Sequence, residues 1–421
     1  MIKNEKAKKE KEIKKICANP FYLRHPRSIM SNKLNILFLS SWYPNRLLPT
    51  LGNFVQKHAE AVAANANVVA LFVCSDADCK QKYEVVESTL NNVFTINVYY
   101  KKVTHSIPFI SSLQKANRYF HAHLIGFKIA KQKLKTIDLV HHNILYPAGI
   151  IAWYLKKFKG IPYIITENWT GYLPSKNTKR GWLETMLSKK IACNANYITP
   201  VSKDLQDAMK SHGFDTKYEI IYNVTDTKLF YPEKTKKQTD KIKIVHISTL
   251  DDAHKNISGM LRVAQKLSKQ RTDFEIWFIG DGDTNPHIKT AKDLNIYSSF
   301  AFFDGTKTTS EVADIMRNAH CFLLFSNYEN LPCVMVEALA SGIPIVSSTA
   351  GGIPEHISDN LGLLVKPLDE PALLSALNKA IDNIKAGKYN PEELSNYAKN
   401  NFSYEKVGEK FVALYSKILK N

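Results

Sequence analysis

Residues 320–355 read HCFLLFSNYENLPCVMVEALASGIPIVSSTAGGIPE. Cys321 to Phe325 is a short apolar run of strand length between polar neighbours. Ser326 to Leu331 is a polar loop. Pro332 carries the fixed φ that suits the first position of a helix. Apolar residues recur at helical spacing from Val334 to Ala340, and Ser341-Gly342 stops them. Ile343 to Val346 is a second buried strand that runs into the turn Ala350-Gly351-Gly352. Two carboxylates frame the helix, Glu329 in the loop before it and Glu337 in its second turn, with seven residues between them.

This order has chemical consequences. A helix N-terminus presents unpaired amides and partial positive charge, so it attracts phosphate. Glu329 lies beside that anion site, where it accepts hydrogen bonds from sugar hydroxyls. Glu337, one turn along, suits a vicinal diol such as a ribose. On spacing alone, a surface loop glutamate and an amphipathic-helix glutamate are the better account, because the pattern often arises by accident.

The whole stretch resembles the family-4 retaining glycosyltransferases. Glu329, Asn330, Pro332, Glu337, Ala338, Ala340, Gly342, Pro344, Ile345 and Val346 match that family's segment in register. Gly351, Gly352 and Glu355 match the glycine turn that follows it. The resemblance implies that Glu329 orients a donor sugar and Glu337 a ribose, with Asn330, Leu331, Pro332 and Cys333 around the diphosphate.

Composition bounds the rest. A chain of 421 residues with 44% hydrophobic residues has material for two or three domains with sizeable cores. No apolar run reaches membrane-spanning length. The Lys-rich N-terminus lacks the apolar segment of a secretory signal. The cysteines at 17, 74, 79, 193, 321 and 333 are scattered, without zinc-site spacing, and read as reduced thiols of a cytoplasmic protein. The net charge of +18 has three readings: contact with anionic lipid, contact with nucleic acid, or a solvated lysine surface. The cluster KIAKQKLK at 128–135, with Lys156, Lys157 and Lys159, favours a peripheral membrane contact. No nucleic-acid module is legible.

Taken in order, residues 1–33 form a basic extension ahead of the first strand. Met30, close to that strand, is a candidate start of translation. Leu34 to Ser40 is a continuous apolar strand of the kind a covered parallel sheet requires. Further strands are expected at Val68–Cys74, Val93–Tyr99, Leu139–His142, Tyr163–Thr166, Tyr197–Pro200 and Tyr218–Tyr222. Helices are expected at Asn53–Ala64, Ser112–Lys135, Ala148–Lys157, Trp182–Ala192 and Lys203–Ser211. Strands alternating with helices predict a doubly wound sheet, whose ligands sit at the strands' carboxyl ends.

In the family resemblance, Gly52 is the glycine beside donor phosphate and acceptor. His141 or His142 lines the acceptor cleft, together with Glu167 and Asn168. Asn168 stands where relatives carry a histidine. Residues 232–241 are a polar linker. A second sheet restarts at Ile242–Ile247 and continues through Phe274–Ile279, Phe300–Phe303, Cys321–Phe325, Ile343–Val346 and Leu363–Val365. Lys255 matches the family's diphosphate lysine, a point charge suited to phosphate. Thr249 stands in the place of the arginine usually paired with it. Gly280, Gly282 and Gly305 match turns whose backbone contacts the donor. Asp76-Ala-Asp78 and Asp281-Gly-Asp283 imitate metal-binding pairs, but no metal is assigned.

The architecture implied is α/β, of GT-B type: two facing Rossmann-like domains with an interdomain donor cleft. The first spans 34–230, with a final helix 403–418 returning to it. The second spans 231–402. The function implied is metal-independent, retaining transfer of a sugar from a nucleotide-diphosphate sugar to a glycan or lipid-linked acceptor. Such reactions build cell-surface polysaccharide or glycolipid at the inner face of the cytoplasmic membrane. Glu329 and Lys255 carry the chemistry, and no cofactor is required. The alternatives are a sugar-nucleotide epimerase of the same fold and a catalytically weak nucleotide-sugar-binding scaffold. A Rossmann oxidoreductase does not fit, because SSWYPN follows the first strand where a glycine fingerprint belongs.

Overall fold

The computed structural model describes residues 33–104, 106–176, 178–233 and 240–420. Residues 1–32 of the N-terminal extension, Met30 among them, and linker residues 234–239 lie outside the described residues.

The first sheet is built from β1 (Asn35–Ser40), β2 (Asn67–Asp76), β3 (Tyr83–Leu90), β4 (Val93–Lys101), β5 (Leu139–Asn143), β6 (Tyr163–Glu167) and β7 (Tyr197–Pro200). Its order is β3-β4-β2-β1-β5-β6-β7. All neighbours are parallel except β3 and β4, which form a hairpin. The helices α1 (Asn53–Ala63), α2 (Pro108–Leu134), α3 (Gly149–Lys159), α4 (Trp182–Asn194) and α5 (Lys203–Ser211) connect or follow these strands. Strand β1 is fully apolar and buried from Ile36 to Leu39, as a strand covered on both faces must be.

Two expectations change here. Tyr218–Tyr222 is not a strand: one isolated bridge from Tyr218 to Ile198 and a bond from the Ile221 amide to the Pro200 carbonyl tie it to the sheet without a continuous ladder. Strand β3 was not anticipated. Its side chains are mostly exposed on both faces, so no apolar alternation marks it. The hairpin turns at Asn91-Asn92, both at positive φ, which asparagine tolerates better than most residues.

The second sheet contains β8 (Ile242–Ser248), β9 (Phe274–Gly280), β10 (Ala301–Phe303), β11 (Cys321–Leu324), β12 (Ile345–Ser348) and β13 (Gly362–Val365). It is wholly parallel, in the order β10-β9-β8-β11-β12-β13. Its helices are α6 (Asp252–Lys255), α7 (Ile257–Ser268), α8 (Asn285–Asp293), α9 (Thr309–Arg317), α10 (Cys333–Ala340), α11 (Glu370–Lys385) and α12 (Pro391–Phe402). Pro332 caps α10 in an extended conformation, one residue before the helix proper. Helix α13 (Tyr404–Lys420) follows and packs on α1, where the Tyr404 hydroxyl donates to Glu60 at 2.9 Å.

The order of each sheet places a crevice. In the first, the winding order of the strands reverses between β1 and β5. In the second it reverses between β8 and β11. Ligands of open α/β sheets bind outside the carboxyl ends of strands at such switch points. The loops leaving β8 and β11 carry Lys255 and Glu329.

Candidate active site

Lys255 ends α6, just beyond β8, and Glu329 lies in the loop between β11 and α10. Their side chains are both buried, and Lys255 Nζ donates to Glu329 Oε1 at 2.5 Å. His254 Nε2 stands 3.6 Å from the same carboxylate. Burial alone would push the Glu329 pKa up. The Lys255 ammonium, helped by the His254 side chain, outweighs it and holds the carboxyl at about 2. The Glu329 loop is further pinned by His254, whose ring stacks flat on Tyr328 at 4.2 Å and bonds the Tyr328 carbonyl. The Lys176 ammonium of the first domain lies over the same Tyr328 ring, 4.1 Å from its centre.

The glycine turn braces the loop from behind. Gly351 has φ +59°, and a Cβ there would come within 1.9 Å of the Glu329 carbonyl. The Gly352 amide donates to the Asn330 carbonyl at 2.8 Å. Glycine at 351 is therefore required by close backbone approach as well as by conformation. On the far side of β8, the Gly280 amide donates to the Gly305 carbonyl, and Gly280 and Gly282 lie against the Ser248-Thr249 backbone. The structure thus gathers Lys255, Glu329, Asn330, Gly280, Gly282 and Gly305 at the carboxyl edge of one sheet. Leu331, Pro332 and Cys333 lead into α10, and burial raises the Cys333 thiol to about 11.

The first domain meets this edge directly. Lys57 on α1 reaches across to Glu337 on α10, with Nζ 2.7 Å from Oε1. Asn330 Nδ2 donates to the Asn168 carbonyl at 2.6 Å. Asn168 Nδ2 donates to Asn223 Oδ1, and Asn223 Nδ2 donates to the Leu331 carbonyl, both at 2.7 Å. Glu355 accepts from the amides of Lys203 and Asp204, which begin α5. Asn168 Oδ1 and Asn330 Oδ1 are buried and meet no hydrogen-bond partner among the described residues. Gly52 opens α1 in the left-handed conformation, and a Cβ there would come within 2.6 Å of the Trp42 backbone.

Neither His141 nor His142, of which one or the other was expected in the acceptor cleft, lies on an open surface. All five residues of β5 are buried, and the parallel register sets His141 and His142 opposite Phe38 and Leu39 of β1. His141 hydrogen-bonds Tyr415 and Thr166 at 2.6 Å each, with its ring between Phe38 and Phe411. The ring nitrogens of His142 face the Leu39 and Leu145 carbonyls, and burial lowers its pKa to about 4. Both are core residues.

Glu167 is also buried, but it borders open space. It accepts from the amides of Leu145, Asn168 and Trp169, yet burial still raises it to about 7. It lines a cavity of about 170 Å³ with Trp42, Tyr146, Trp169, Tyr172 and Glu184. Asp76, from the first metal-like pair, is bound by Arg46 at 2.5 Å. Among the described residues, no three or more histidine, cysteine or acidic side chains converge as a metal-holding group. Cys74, Cys79, Cys193, Cys321 and Cys333 are thiols, and Cys17 lies outside the described residues.

Lys57 and the aromatic cavity escaped the sequence reading. Lys57 looks like any polar position on an amphipathic helix, and only the facing of the two domains gives it a partner. The aromatics come from separate loops after β1, β5 and β6, so no contiguous motif announces them.

Comparison with known proteins follows the same division. The family model described as Glycosyltransferase Family 4 matches residues 51–229, and Glycosyl transferases group 1 matches 227–401. An uncharacterized glycosyltransferase of Methanocaldococcus jannaschii is 26% identical over 325 residues, covering 74% of this chain and 83% of the relative. Among solved structures, sucrose-phosphate synthase from Thermosynechococcus elongatus superposes with TM-score 0.73 at 19% identity, over 92% of this chain and 99% of that one. An Anabaena protein solved with UDP gives TM-score 0.67 at 15% identity, over 91% and 100%.

Proposed function

This chain belongs to the glycosyltransferases of the group 1 and family 4 type, with the GT-B fold, and on that premise we propose that it moves a sugar, with retention of configuration, from a nucleotide-diphosphate sugar to a glycan or lipid-linked acceptor. The observation that carries the reading is the Lys255–Glu329 pair at the switch point of the second sheet. A buried lysine there is placed to neutralise charge on a departing diphosphate, together with the amides that open α10. Cationic side chains then take the part that a metal ion plays elsewhere. Glu329, held ionised, accepts from hydroxyls of the transferred sugar and keeps it oriented. The orphan oxygens of Asn168 and Asn330 suit further hydroxyls. Glu337 accepts from the ribose. The UDP in the Anabaena structure makes uridine the first base to try.

The acceptor side is read from the aromatic cavity. Trp42, Trp169, Tyr146 and Tyr172 offer ring faces for a sugar, and Glu184 a polar partner at the cavity wall. Exposed apolar side chains stand on the helices around the first sheet: Phe109 on α2 (72% exposed), Phe158 on α3, and Trp182 (77%), Leu183 and Met186 on α4. Lysines at 157, 159, 189 and 190 accompany them. That mixture suits the surface of an anionic membrane, where a lipid-linked acceptor would be found. No described helix is long and apolar enough to cross one.

A thermal-shift panel of UDP, GDP and ADP sugars tests the reading. Stabilisation by one base series is expected, weakened in Glu337→Ala. Glu329→Ala mainly slows transfer. No stabilisation by any donor would favour a scaffold, and turnover of donor to an epimer without acceptor would favour an epimerase. Sedimentation with vesicles containing anionic lipid, against neutral vesicles, checks the membrane contact.

A further inference from the structure

A diphosphate leaving group needs compensating charge. The resemblance expects an arginine and a lysine after the first strand of the second domain, and this chain has Thr249 and Lys255. Thr249 is exposed at the carboxyl end of β8, so an arginine there would have room to reach the crevice. Lys255 is already engaged by Glu329. One cation for a diphosphate that carries at least two charges leaves the site short.

Lys57 supplies a second positive charge from the other domain. Its side chain is 17% exposed and its ammonium lies on Glu337, in the helix that Cys333 opens. Burial works against its charge, but the Glu337 carboxylate beside it, with Asp226 farther off, outweighs that and raises its pKa. An ammonium has three N–H donors, and Glu337 takes one. A plain tie between domains would be as effective anywhere along the interface. This one stands where the ribose carboxylate and the α10 amides meet.

We propose that Lys57 is the second diphosphate cation, contributed by the facing domain in place of the missing arginine. The phosphate site is then complete only when both domains meet around it. The inference rests on the donor reading above and adds a residue to it.

The test compares equilibrium binding of a nucleoside, its monophosphate and its diphosphate to the full chain, using the base that stabilises the wild type. Lys57→Gln removes the charge and leaves a side chain one atom shorter that still carries an N–H donor. It is expected to weaken diphosphate binding by about 10-fold or more, while nucleoside binding changes by less than about 2-fold. Adding Thr249→Arg is expected to restore most of the loss, because it returns a cation from the original side. Where Lys57→Gln folds poorly, Lys57→Gln with Glu337→Gln removes the unpaired carboxylate and is compared with Glu337→Gln alone. Equal losses for nucleoside and diphosphate would reduce Lys57 to a domain tie and overturn the proposal, as would no loss at all. If the wild type binds no nucleoside diphosphate, the donor reading itself falls, a result distinct from normal wild-type binding with an indifferent Lys57→Gln.

Discussion

Replacing Glu329 by glutamine removes one charge from a buried pair without changing its volume. In the native protein the carboxyl is held at about 2, against an ordinary value of 4.5. At 1.36 kcal/mol per pH unit, that preference for the ionised form amounts to roughly 3 kcal/mol. A second route gives a similar figure. Glu329→Gln leaves the Lys255 ammonium, with its side chain 9% exposed, without its counter-charge. Removing one member of a buried pair costs about 3–5 kcal/mol. The expected loss is therefore about 3 kcal/mol in the second domain near neutral pH. Adding Lys255→Met should recover much of it, since neither charge is then left alone.

The pH dependence has a definite sign. The folded pKa of Glu329 lies below its unfolded value, so its contribution is present above about 4.5 and is lost as pH falls towards 2. The gap between wild type and Glu329→Gln should stay level from about pH 5 to 8 and narrow below that. Hydrogen exchange of the β8 and β11 amides isolates the second domain from the first. A loss of less than about 1 kcal/mol, the value of an exposed ion pair, would refute the buried-pair argument. So would a gap that persists undiminished to low pH.

Two other substitutions separate structural from ligand-binding roles. His141→Leu should lower stability by about 2 kcal/mol through loss of its bonds to Tyr415 and Thr166, measured by urea unfolding, and leave both substrate KM values unchanged. Gly351→Ala should displace the Glu329 loop, because its new methyl would collide with the Glu329 carbonyl; a fall of more than about 2 kcal/mol in stability, with loss of transfer, is the expected result.

The sequence showed most plainly what repeats. Strands as apolar as LNILFLS, and largely apolar ones such as IKIVHI, call for helices on both faces, and both sheets formed from them. The Glu329–Glu337 stretch was legible because strand, loop and helix follow one another without interruption, so local order fixes which loop faces the crevice. The histidines of β5 were misread because polarity is visible in sequence and burial is not. A hydroxyl from Tyr415, 274 positions away, is what allows His141 into the core. Strand β3 escaped because both its faces are wet. Lys57 escaped because its partner, Glu337, lies 280 positions away in the other domain.

One buried connection bears on how the protein is made. Thr199 bonds Thr166, Thr166 bonds His141, and His141 bonds Tyr415 of α13. The strands of the first sheet are all synthesised by residue 200, yet the helix that covers α1 and completes this polar thread spans 404–420. Until α13 emerges, after the whole second domain, His141 Nδ1 lacks its Tyr415 partner and the α1 surface stays open. The second domain, whose strands are contiguous between 242 and 365, can close first. The usual N-to-C order of domain folding during synthesis is then reversed.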